Sequence, residues 1–553
     1  VRLEISQFGG MAPLIDPTAL ADKLSTLARN VRFDRGVLSP GALRLIPVSD
    51  YPDSQLLNTG TQSVAKMFED GTRFSFPKAA AADAFPSPVT PTDTWGRVYF
   101  MAPQGPSFTT SDQYIKKVLN TNILGYRLGV PAPGNAPTVE ATGVDVALDP
   151  DADKVDVAYA YSYVDKYGHE GALSLASRRI TLAYDRDFSV TVAFPGSLPT
   201  RVNFQGGSRR VYRATFDGTS QAWQYLADVS PSVASFSDSI PVGDEAEENI
   251  SANWYPAPDD LKGLCLVAAS FAAGFKSHYV CYSELRLPHA WPFELQYPVK
   301  YEPVKLLPMN NGLFIATTGR PYWAEGTDPN SAIPQEMAIN APCLAPDSVV
   351  DMNGIAMYIT EEGIVGADRG QAQILSTTFA DRAVILSLVD ENCTAFAFDG
   401  RYVFSTKDGR WLAFSTEEGF VEYDFGFPPS EFSSVTYSVR DNRHYFAMNN
   451  GRVRVVDFEG ESAGVLWRSK HWRTPPTSFS CIRAEADTYP VILRVRSQYL
   501  GEAWQDSGEL VATGPQIIRL PSNVGTLWRV DIQPPESGRI YRVVMAQSGR
   551  EAA

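Results

Sequence analysis

From Asn311 onward, a two-residue turn signal recurs ahead of short aromatic strands, and this period constrains the chain more than any other feature it carries. Asn311-Gly312 precedes Leu313 to Thr317, Asn353-Gly354 precedes Ile355 to Ile359, Asp399-Gly400 precedes Arg401 to Ser405, and Asn442-Arg443 precedes His444 to Ala447. The second turn positions lie 42, 46 and 43 residues apart, and each unit adds another turn (Thr318-Gly319, Glu362-Gly363, Asp408-Gly409, Asn450-Gly451) before its next strand. Asn-Gly and Asp-Gly supply the positive φ of tight hairpins. A period of about 40–50 residues is that of four-stranded units that bury their faces only by stacking on one another. The spacing predicts a β-propeller over residues 207–470. Gly263 to Ser283 fits as an upstream unit and Val211 to Ala227 as another, giving five or six blades. The competing arrangement is a run of hairpins in two β-sandwiches.

The rest of the chain is also read as β, making the fold class all-β. With 25 Tyr, 29 Phe and 10 Trp beside 41 Gly and 40 Pro, residues that favour pleated surfaces alternate with residues that interrupt them. One helix is expected over 17–29, where Pro17 takes a first-turn position and Leu20, Leu24, Leu27 and Ala28 share a face. Residues 1–135 are expected to form an irregular N-terminal platform region, with long loops from Tyr51 to Pro106 and one strand near Trp95 to Phe100. The Pro/Gly run from Val130 to Pro137 marks a boundary. Beyond it, Val155 to Val164 alternates cleanly, Lys166 to Gly171 makes a turn, and Val190 to Phe194 and Arg210 to Ala214 alternate again. These segments suggest a fibronectin III-like β-sandwich over 136–206. Residues 471–553 form a C-terminal β segment.

Lys and Arg total 48 against 63 Asp and Glu, a net charge of -15, so the whole chain lacks the electrostatic footprint for gripping nucleic acid. Five Cys, at 265, 281, 343, 393 and 481, show no metal-binding spacing and read as buried thiols. Val1-Arg2-Leu3-Glu4 lacks the charged-then-apolar run of a secretory signal. The longest uncharged apolar stretch, Gly263 to Phe275, has 13 residues where about 18–20 would be needed, so a soluble protein without membrane insertion is expected.

Catalytic and cofactor motifs are missing: no GxxxxGK[ST], GxGxxG or HExxH occurs, and the five His (169, 278, 289, 444, 471) are scattered. No metal or cofactor is expected. Gly460-Glu461-Ser462-Ala463-Gly464 matches GxSxG, but Val465-Leu466-Trp467 after it reads as a strand, and no Asp or Glu stands between Ser462 and His471. Ser405 to Trp411 approaches the Asp-box turn of sialidases with Asp408 and Trp411 out of register. Asp244, Glu245, Glu247 and Glu248 form an acidic run, read as a solvated loop or as a channel-lining rim that repels a polyanion. Arg468-Ser469-Lys470-His471-Trp472-Arg473 has the opposite sign and reads as an interface patch before a nucleic-acid site.

Phe8-Gly9-Gly10-Met11-Ala12-Pro13, followed by Asn30, Phe33, Gly36, Leu38 and Pro40, resembles the start of bacteriophage virion proteins of the tail-nozzle (tail tubular protein B) type. Trp254 to Pro258, Leu261 to Leu264, Tyr282-Ser283-Glu284, Pro288-His289-Ala290-Trp291-Pro292 and Thr317 to Tyr322 are similar to segments of such proteins in the same order, covering about residues 1–370. The missing motifs lead us to expect no enzymatic activity, and the resemblance implies a homo-hexamer, made in the host cytoplasm and carried in the virion, that extends a short tail below its adaptor. Tail fibres are further partners, and double-stranded DNA passes along the axis without specific binding. Ser283, Glu284, Pro288, His289, Trp291 and Pro292 are read as a structural motif, a Pro-flanked turn that packs an indole against a blade edge. The alternative is a glycan-binding or glycan-cleaving receptor-recognition propeller, which would use the same aromatic surfaces around a concave acidic site.

Overall fold

The computed structural model describes residues 1–41, 44–47, 62–66, 73–77, 84–88, 93–102, 105–110, 125–142, 153–183, 187–216, 222–438, 443–448, 453–457 and 464–552. Strands dominate, and the α-helices among the described residues are Arg382–Leu388 and Gly549–Ala552. The first of these starts where the Asp381 carboxylate accepts the Val384 amide at 2.9 Å, a side-chain N-cap.

From Lys262 the chain lays down antiparallel four-stranded meanders in sequence order. The first is Lys262–Val267, Phe271–Lys276, Tyr279–Tyr282 and Gln296–Pro298; the second is Pro303–Met309, Gly312–Thr317, Tyr322–Glu325 and Gln335–Glu336. The third is Val350–Met352, Ile355–Thr360, Gly363–Asp368 and Gln371–Ile374; the fourth is Ala395–Phe398, Arg401–Ser405, Trp411–Ser415 and Gly419–Tyr423. A fifth, Phe432–Ser438, Arg443–Met448 and Val453–Asp457, takes its fourth strand from Arg44–Pro47. Upstream, Ala84–Pro86, Val98–Ala102, Gly105–Thr109 and Tyr126–Arg127 make another four-stranded sheet.

Successive side chains of a strand face opposite ways, and here each way is a neighbouring meander. Ile315 joins Phe271 and Tyr282 of the first meander, while its neighbour Phe314 packs with Tyr358 and Val365 of the third. Ile359 and Ile364 then meet Tyr402 and Phe414 of the fourth, and Phe396 and Trp411 meet Phe432 and Phe446 of the fifth. Stacking on both faces is why all six residues of Gly312–Thr317 are buried. The turns follow their composition: Asn353 and Gly354 have φ of 56° and 94°, and Asp399 and Gly400 have 51° and 71°. Gly312 serves differently, because a Cβ there would stand 2.3 Å from the Ala324 carbonyl oxygen.

Three expectations change on the fold. Val211 to Ala227 is not a meander of the stack. Ser208–Phe216 pairs with Lys154–Val164 from Asp156↔Phe216 to Val164↔Ser208, and Trp223–Val229 adds the next strand. That four-stranded sheet, completed by Ile180–Ala183, faces a three-stranded one of Thr138–Thr142, Ser189–Ala193 and Ser235–Asp238 across an apolar layer, so the sandwich runs past residue 206. The helix expected over 17–29 is absent. The Asp16 carboxylate accepts from the Thr18 amide and hydroxyl at 2.8 and 2.6 Å and closes one turn, after which Ser25–Arg29 is a strand between Leu466–Ser469 and Gly419–Tyr423. Strand partners on both sides outcompete a short helix. Leu20, Leu24 and Ala28 are buried all the same. The first forty residues also share sheets with the last ninety: Arg2–Ile5 pairs with Ile540–Ala546, which continues to Cys481–Ala486, so the two regions form one β unit.

Candidate functional site

The segment Ser283 to Pro292 sits where the upstream sheet, the sandwich and the first meander meet. The Ser283 hydroxyl accepts the Ala272 amide at 2.9 Å and donates to the Glu284 carbonyl at 3.0 Å, while Glu284 and Leu287 bridge the turn. The Trp291 indole donates to the Pro288 carbonyl at 2.8 Å, and its amide donates to Tyr255. Pro292 accepts from Leu295 and opens the short 3₁₀ turn Phe293–Leu295. Burial pushes the Glu284 carboxyl above its ordinary range.

His289 brings the segment into contact with residues that sequence reasoning passed over. Its ring lies 4.4 Å from that of His169, at the tip of a sandwich hairpin, and 5.8 Å edge-on to Trp254. His169 Nδ1 lies 3.0 Å from the Asp165 carboxylate, and Nε2 lies 2.5 Å from Arg97, which in turn holds Asp93 at 3.0 Å. Because arginine only donates, His169 Nε2 must accept and Nδ1 must carry the proton. His289 Nε2 is buried with no hydrogen bond. Burial above all, then His169 and Arg97, hold its pKa well below the ordinary imidazole value, so it is neutral at neutral pH. The signal that could have found this junction is the shared pattern of Asp165 and His169 four residues apart in a Gly-containing turn.

The acidic run divides. Asp244, Glu247 and Glu248 are exposed, but Glu245 turns inward: Oε1 accepts from Arg213 Nε and Nη2 at 2.9 and 2.5 Å, and Oε2 accepts the Gly243 amide at 2.7 Å. Arg213 also holds Asp238 at 2.7 Å, and Asp238 accepts the Tyr159 hydroxyl at 2.7 Å. Glu245 therefore closes the sandwich, with its carboxylate buried against Arg213. Glu247 and Glu248 line a groove of about 490 Å³ with Arg210, Tyr212, Tyr225 and Trp254. Glu170 at its floor is saturated by Ser162, Tyr212 and Arg210.

The basic hexapeptide is largely tied down. Arg468 grips Asp531 with two nitrogens at 2.9 and 3.0 Å, and Lys470 reaches Asp22 and the Leu20 carbonyl, both at 2.8 Å. Trp472 is buried, His471 packs 5.1 Å from Trp504, and Arg473 is exposed. Asp408 accepts from Thr406 and from Arg410, and the Arg410 hydrogen bond holds its carboxyl below the ordinary range. The Trp411 indole instead donates to Phe427 at 3.3 Å, so the hairpin closes through Thr406. Ser462 lies outside the described residues. Among the described residues, no three His, Cys, Asp or Glu gather as metal ligands. Among the described residues no helix is long and apolar enough to cross a membrane, and Gly263 to Phe275 folds into two strands of the first meander.

No family model matches this chain, and no curated protein matches it. Solved structures with a likeness include BBS1N in complex with ARL6DN, soaked with lead, at 9% identity over 53% of this chain and 90% of that one, with a TM-score of 0.25. A glycoside hydrolase is 9% identical over 65% of this chain and 94% of its own, with a TM-score of 0.17. The extracellular domain of a one-component system protein, BT4673 from B. thetaiotaomicron, is 12% identical over 72% of this chain and 53% of its own, at 0.21. At these scores the likenesses carry no argument about function.

Proposed function

We propose that the chain is a non-catalytic structural subunit of a short-tailed phage tail nozzle, a virion protein that assembles as a homo-hexameric ring around a DNA ejection channel. Its stacked meanders form a β-propeller, and its three-on-four sandwich is a fibronectin III-like module. The observation that carries the reading is the fifth meander, completed by Arg44–Pro47 from far upstream in the chain. Such a strand ties the stacked four-stranded units to the N-terminal region and covers a sheet edge, which suits a structural subunit. The sequence resemblance supplies the tail assignment, and the net charge of -15 suits a passage that DNA leaves without stalling. Partners are further copies of the chain, the tail adaptor and tail fibres.

Fluorescence anisotropy with duplex DNA near physiological salt tests the passive channel. Ordinary non-specific binders reach about 10⁻⁴ to 10⁻⁶ M there. The assembled protein is expected to bind no more tightly than the weak end of that range, and micromolar affinity with a steep salt slope would exclude a passive channel.

The groove beside Glu247 and Glu248 favours one second reading, a glycan-recognition surface, since the half-buried Tyr225 and Trp254 offer faces for sugar rings. Binding on a glycan array that disappears in Trp254→Ala would favour it.

A further inference from the structure

The outer face of the C-terminal sheet collects arginines in a chain that is acidic overall. Leu466–Ser469 and Val491–Gln498 both pair with Gly525–Gln533, placing Arg468 and Arg494 opposite Asp531 and Arg496 opposite Arg529. Residues directly opposite in antiparallel strands share a face. The alternate residues, Trp528 and Val530 among them, enter the apolar core, so the arginines all face outward.

The carboxylate at the centre does not balance them. Asp531 is occupied by both prongs of Arg468. Arg494 reaches Asp506 and Glu509 only at 3.8 and 4.0 Å, because Arg496 already holds Asp506 at 2.9 Å. Arg529 is the least satisfied. Its side chain is 13% exposed, its guanidinium lies 5.0 Å over Trp504, its contact with Asp531 is 3.9 Å long, and its Nε is buried without a hydrogen bond. Burial and the nearby Arg468 lower its proton affinity. Burying a cation this far costs free energy unless an anion completes its surroundings.

We infer that this face binds one tetrahedral oxyanion of the phosphate class, in a cleft of about 140 Å³ where Arg468, Arg494 and Arg496 outnumber the lining carboxylates Glu509 and Asp531, with the weakly compensated Arg529 outside the lining, across from Arg496. At roughly 30 Å³ per water, the cleft holds one such ion with part of its hydration shell. Guanidinium forks match the spacing of phosphate oxygens and hold them with charge-assisted hydrogen bonds. The inference does not depend on the tail-nozzle reading.

The test is calorimetric and thermal-shift titration of the full chain with inorganic phosphate at constant ionic strength, against sodium chloride, with a parallel arm using a short DNA duplex. Saturable phosphate binding is expected, weakened about tenfold or more in Arg529→Leu and in Arg494→Ala. Should Arg529→Leu fail to fold, Arg494→Ala and Arg496→Ala, on the solvent side of the face, carry the test. Duplex binding lost in the same variants would support the site while overturning the passive channel; phosphate binding without duplex binding leaves both standing. A phosphate response no larger than that to chloride, or wild-type affinity in both Arg494→Ala and Arg496→Ala, overturns the inference.

Discussion

In the second meander, Gly312–Thr317 sends Phe314 and Ile315 into two apolar layers, whereas in the sandwich the equally extended Ser208–Phe216 carries a fully buried Arg213 between Asp238 and Glu245. The meander stack gains its order from shape: each strand is wedged between neighbours, and any apolar side chain of similar volume would serve. The sandwich gains its order from pairing, since a buried guanidinium tolerates only the arrangement that satisfies it. The stack should therefore respond to volume, and the sandwich to charge.

The largest effect should come from breaking the sandwich network. Arg213→Met strands two buried carboxylates and is expected to cost about 3–5 kcal/mol in chemical denaturation. A loss below about 1 kcal/mol would mean that the network is peripheral to stability.

Acid should act next, at the junction between the two regions. The folded protein holds the His289 pKa below 6.5, so the unfolded chain takes up the proton first. Stability is complete above about pH 6.5 and falls as pH drops, by up to about 1.4 kcal/mol per pH unit for this one proton. Unfolding followed from pH 7 to 5 should show that slope, and His289→Leu should flatten it. An unchanged slope in the variant would place the acid sensitivity elsewhere.

Volume changes in the stack should cost less and be insensitive to pH. Ile315→Val is expected to lose about 0.5–1.5 kcal/mol at both pH 7 and pH 5.5. The smallest effect belongs to Asp408→Asn on an exposed hairpin, within about 0.5 kcal/mol, with no change in any glycan-cleaving assay.

What was legible in the sequence divides along the same line. The stack announced itself because its turns are local: Asn353-Gly354 and Asp399-Gly400 need only their own φ angles. Alternation from Val155 to Val164 marked a strand for the same reason. The Arg213 network was hidden because its partners lie 25 and 32 residues away, and nothing in the acidic run singles out Glu245 from Glu247. Residues 17–29 misled because an apolar spacing of three and four fits a chain threaded through one sheet as well as it fits a helix face. His169 and His289 stand 120 positions apart, and only the fold brings their rings together.

The proposed function requires that copies of this chain close into a ring. Class averages of the purified protein by electron microscopy test it most directly. Six-fold rings with a central hole wide enough for a DNA duplex are the predicted result. A monomeric particle that forms no ring at any protein concentration, or a closed oligomer without an axial opening, would contradict it.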